Sequence, residues 1–94
     1  MRTVTLQMHV GATIYPTLTV RKEEWESAKK RLAAGERPVL VGAGGGHGCR
    51  GEPLRGGLEE LILVAAPKDE NGWYEAETEF WGQIWVQAHE SNDR

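Results

Sequence analysis

Half of the residues between Gly42 and Gly57 are glycine: the stretch GAGGGHGCRGEPLRGG holds eight of the chain's twelve glycines and its single cysteine, Cys49. No other feature constrains the fold as much. Glycine loses the most backbone entropy on folding and brings no side chain to a core. The segment 42–57 therefore reads as a glycine-rich loop, a hinge or lid within the fold, or as a place where backbone approaches a ligand closely.

Two phosphate-binding patterns can be tried on it, and both fail. A P-loop needs a Lys-Ser or Lys-Thr pair behind its glycines, and none follows here. The dinucleotide fingerprint is matched literally by Gly46-His47-Gly48-Cys49-Arg50-Gly51. That pattern requires a helix directly behind it, and Glu52-Pro53-Leu54-Arg55-Gly56-Gly57 is a poor helix former. What survives is a looser anion nest, with backbone N–H groups backed by Arg50 and Arg55 and with His47 beside them. Zinc would need three or four ligands, and the spacing of His9, His47, Cys49 and His89 does not compel their convergence. A Cys49 nucleophile served by His47 would lack a rigid frame and an orienting group. With no constellation of acid, base and nucleophile, the chain reads as non-enzymatic, with no catalytic residue, metal or cofactor.

The segments around the glycines carry clear periodicities. Arg2 to Val10 alternates, with Val4, Leu6, Met8 and Val10 on one face, as does Thr13 to Val20, with Ile14, Leu18 and Val20 on one face. Gly11 between them suggests a hairpin, and sharing one apolar face requires residues of equal parity to pair, such as Val10 with Ile14. Pro16 lacks a backbone donor, which points to an edge strand or a bulge. Lys22 to Ala34 is the one convincing helix: Trp25, Ala28 and Leu32 form a stripe, acids lead and bases trail, and Gly35 stops it. No good N-cap residue precedes it.

Pro38 to Val41 reads as a short strand feeding the glycine segment, and Glu60 to Ala66 as a buried strand. Pro67 to Gly72 reads as a turn, with Asn71-Gly72 a hairpin signal. From Trp73 to Ala88 a period of two persists, too long for one strand, so a break is expected near Gly82 or before Glu79. The tail 90–94 is polar and reads as frayed. The fold class is α+β: one small domain over residues 1–94, with an antiparallel or mixed sheet of about five strands and one helix packed on it.

Composition narrows the setting. Ninety-four residues make one domain, and a lone cysteine excludes an internal disulfide and fits a reducing, cytoplasmic compartment. The longest apolar run, Leu61 to Ala66, is far short of the roughly 20 residues a membrane span needs. Residues 1–55 hold nine Lys/Arg against five Glu, whereas residues 56–94 hold two against nine acids. That asymmetry suits complementarity within the fold or a contact between unlike patches, and it is a poor footprint for nucleic acid.

Function is best sought on the last alternating stretch. If Phe80, Ile84, Val86 and Ala88 face the core, then Trp81 and Trp85 point away from it together with Gln83 and Gln87. Exposed indoles on a strand face call for a cover. That cover is the helix, a second copy in a homodimer, or another partner. The leading expectation is a homo-oligomeric interaction protein that uses this aromatic face to bind a partner protein. The alternative is a binder of a small anionic or nucleotide-like ligand over which the loop 42–57 closes, with Trp81 or Trp85 stacking on it.

Overall fold

The computed structural model describes residues 2–10, 15–47, 57–68, 70, 72–79 and 81–91. The elements run β1 (Thr3–His9), β2 (Tyr15–Arg21), α1 (Lys22–Ala33), β3 (Val39–His47), β4 (Gly57–Ala65), β5 (Tyr74–Thr78) and β6 (Gly82–Ser91). Each strand pairs antiparallel with the next, and β6 pairs antiparallel with β1, so the sheet closes into a six-stranded barrel. The sequence pointed to about five strands in an open sheet. Two things differ, and each has a local cause.

The sixth strand arises where the long alternating stretch breaks. Gly82 adopts φ +75°, a left-handed conformation that favours glycine, and the Trp81 backbone N–H donates to the Thr78 hydroxyl at 2.8 Å. Thr78 pairs with Gly82 across this turn, so the alternating stretch breaks near Gly82, as expected, and the two pieces form the hairpin β5–β6. The preceding turn, between β4 and β5, likewise has Gly72 at φ +76°. β4 also carries a register shift between Leu63 and Ala65, an irregularity of the kind that adds curvature.

Closure comes from β1, which pairs with β2 along one side and with β6 along the other. In the β1–β2 ladder Val4 faces Val20 and Leu6 faces Leu18, the equal-parity register that puts both apolar sets on one face. Ile14, named above as a partner for Val10, lies outside the described residues. Pro16 is not on an edge strand: it pairs with Gly46 of β3, inside a wall that has no edge. The β1–β2 ladder stops one residue short of it, at Gln7 with Thr17, where proline offers no donor.

The glycine segment is where the expectation is corrected most. Residues 42–47 continue β3 instead of leaving it, and Gly57 opens β4; residues 48–56, with Cys49, Arg50 and Arg55, lie outside the described residues. Gly42 is buried in the barrel wall. A Cβ built on it would lie 2.2 Å from the Thr19 carbonyl oxygen and 2.9 Å from Val20 Cγ1. The close backbone approach that the glycines suggested is thus to the neighbouring strand.

Inside, Val4, Leu6, Leu18, Leu61, Leu63, Ala76 and Val86 are wholly inaccessible, joined by Met8, Val20, Leu40 and Ile84. A barrel of about eight strands or fewer has room only for side chains, and this one is filled by them. The helix starts directly after β2, where the Lys22 N–H donates to the Arg2 carbonyl at 3.1 Å in place of a side-chain cap. It buries Trp25 and Ala28 in the same cluster, with Trp25 edge-to-face on Tyr74 at 5.0 Å between ring centroids. It ends in a Schellman motif: Gly35 at φ +91°, its N–H bonded to the Leu32 carbonyl, and the Glu36 N–H bonded to the Arg31 carbonyl.

Two stability predictions follow from this packing. Gly42→Ala is expected to cost about 3 kcal/mol or more, because its Cβ would meet backbone that cannot rotate away. Gly45→Ala meets only the Thr17 hydroxyl, at 3.2 Å, and is expected to change stability by less than about 1 kcal/mol. Urea midpoints of the two variants check the pair. Trp25→Ala is expected to cost about 3–5 kcal/mol, much of the roughly 5–15 kcal/mol a domain of this size has, and a thermal melt reads that loss.

Candidate interaction surface

Alternation in a closed barrel sends every second side chain outward, and the outward rows differ sharply around its circumference. β1 and β2 present Thr3, Thr5, Gln7, His9, Thr17, Thr19 and Arg21. β3 and β4 instead present aliphatic residues: Val39 is 50 % exposed, Val41 46 % and Ile62 37 %. Val39 and Ile62 are direct partners across the β3–β4 ladder, so these side chains form one patch. The stretch 60–66, expected to be a buried strand, is therefore only half buried; Leu61 and Leu63 of β4 and Leu40 of β3 take the inner side.

A shallow groove of about 340 Å³ runs between this patch and α1. It is lined by Val39, Val41 and Pro38 on the strand side and by Ser27, Glu23 and Arg31 among the helix residues. On the far side of the patch, β5 sets Glu77 against Ile62. β6 then sets Trp85 against Glu75 and Gln83 against Glu77. The outer face from β3 to β6 therefore runs from aliphatic, through a glutamate row, to an exposed indole.

Among the residues singled out from the sequence, Trp85 and Gln83 are brought onto this face, Trp85 with 48 % of its surface exposed. Trp81 does not share it. It sits in the β5–β6 turn, partly buried against the core, because the chain there is reversing direction and the period of two is interrupted. The helix does not cover Trp85 either: the indole that α1 buries is Trp25. His47 is the last residue of β3, and Arg50 and Arg55 lie outside the described residues, so the anion nest is not assembled from described groups. His9 and His89 stand apart along one ladder, opposite Trp85 and Thr5 respectively.

Sequence reasoning missed Val39, Val41 and Ile62. A signal was present: Glu60, Ile62 and Val64 share parity, and a glutamate in the middle of a strand marks the solvent side. Among the described residues no helix is long and apolar enough to cross a membrane.

His9 ties the indole side of this face to the fold. Its ring meets Trp73 edge-to-face at 4.1 Å, and its ladder partner is Trp85. Burial disfavours the imidazolium and holds the His9 pKa below its ordinary value of 6.5. On acidification the unfolded chain takes up this proton before the folded one, so the unfolded state binds more protons below about 6.5 and stability rises with pH. Unfolding free energy is therefore expected to fall as pH drops through 6.5 towards the lowered folded value, and to be flat in this respect above it. Urea midpoints between about pH 5 and 8 check this, and His9→Gln is expected to remove that part of the slope.

Comparison with protein-family models, with curated proteins and with solved structures finds no match to this chain.

Proposed function

We propose that this protein is a non-enzymatic interaction module that docks another protein on the outer face of its barrel between β3 and β6. One observation carries the reading: Val39, Val41, Ile62 and Trp85, the four large apolar side chains left exposed among the described residues, all lie on that face. Random scatter over six outward-facing rows would not leave β1 and β2 without one exposed large apolar side chain among the described residues. Apolar groups concentrated on one side and rimmed by polar ones are the usual composition of a docking surface.

The filled interior supports an external mode of binding over a ligand held inside the barrel. A second copy of the chain is one candidate occupant, as the sequence suggested. An isologous contact through this face would, however, bring the glutamates of two copies together, which favours a different partner.

The test is selection of random displayed peptides on the folded protein, followed by titration against Val41→Ser/Trp85→Ser. Selected peptides are expected to lose about tenfold or more in affinity for the double variant, as for residues at the centre of an interface. Peptides that bind both proteins equally would overturn the reading.

A further inference from the structure

Two sets of glutamates in this protein differ in their pairing. Those near the helix are neutralised locally: Glu23 and Glu24 by Arg21, Glu26 by Lys29 at 3.1 Å, Glu36 by Arg31 at 3.2 Å and Glu90 by Lys22 at 3.5 Å. The three on the outer face, Glu60 of β4 and Glu75 and Glu77 of β5, make no ion pair among the described residues. No Lys or Arg occupies an outward position of the described part of β3, β4, β5 or β6. Glu60 pairs with Val41, Glu77 with Ile62 and Glu75 with Trp85, so each uncompensated carboxylate stands beside one of the exposed apolar groups.

We infer, on the docking face proposed above, that the partner is a protein segment presenting lysine or arginine between apolar side chains. An apolar partner alone would leave Glu75 and Glu77 facing each other two residues apart on one strand, partly desolvated and still repelling. A cation placed over that row relieves the repulsion, while flanking apolar side chains cover Ile62 and Val41 on one side and Trp85 on the other. Trp85 itself adds a ring face suited to a cation. An acidic segment would meet like charge at every one of the three positions.

The experiment uses three short peptides with one leucine pattern, the remaining positions being all Lys, all Gln or all Glu. Each is titrated into the full chain while the methyl signals of Val39, Val41 and Ile62 and the indole N–H of Trp85 are followed by NMR. The Lys peptide is expected to shift these signals and to bind about fivefold more tightly than the Gln peptide at low salt, as for two exposed ion pairs. That advantage is expected to vanish at about 0.5 M salt and in Glu75→Gln/Glu77→Gln. Equal binding of all three peptides at these signals would overturn the basic partner and leave the docking face standing. Failure of every peptide to shift them would remove both. Concentration-dependent shifts of the same signals without peptide would assign the face to a second copy and overturn the basic partner.

Discussion

At Gly42 the third strand passes so close to the second that no side chain fits between them, and the rest of the barrel follows from that approach. A Cβ there would press on the Thr19 carbonyl and on Val20 together. With hydrogen only, β3 can lie tight against β2, and glycine is the residue that admits such an approach in a closing sheet. The register shift in β4 bends the wall again on the other side of β3. Closure then removes the edges that an open sheet of this size would have to protect. It also gives inward leucines and valines contacts on all sides, which matters in a chain with one cysteine and no internal disulfide.

Much of this was legible in the sequence, for reasons that differ by element. The hairpin of β1 and β2 could be read together with its parity, because Val4, Leu6, Leu18 and Val20 share one side only when residues of equal parity pair. The helix could be read to within a residue, since Trp25, Ala28, the acid-to-base gradient and Gly35 all agree. Closure could not be read. It depends on pairing β1 with β6, across almost the whole chain, and nothing local in Thr3–His9 announces a second partner. The glycines misled for a related reason. Their freedom suggests an absence of structure, whereas residues 42–47 are strand, and at Gly42 it is the neighbouring backbone that needs the space. Pro16 misled in part: it pointed to an edge strand or a bulge, and the barrel has no edge there.

The candidate surface was half legible. Trp85 and Gln83 could be placed on an outer face by alternation alone, but Trp81 could not be separated from them without the turn made by Thr78 and Gly82. Val39, Val41 and Ile62 were hidden by their own hydrophobicity, since an apolar run reads as buried on both faces. Only closure shows that one side of β3 and β4 has no cover. The interior and the surface are thus linked: the barrel uses its inward side chains to fill itself and leaves an apolar and acidic outer face as its most distinctive chemistry.

Hydrogen exchange along β1 tests closure most directly. In the closed barrel the amides of Thr3–Gln7 alternate between bonds to β2 and bonds to β6, so all of them are protected to a similar depth. An open sheet with β1 at its margin would protect only every second amide, leaving the others to exchange at nearly the rate of a solvent-exposed chain. Uniform slow exchange through Thr3–Gln7, matched by the facing amides of β6, is the predicted result. Alternating fast exchange along that strand would contradict it.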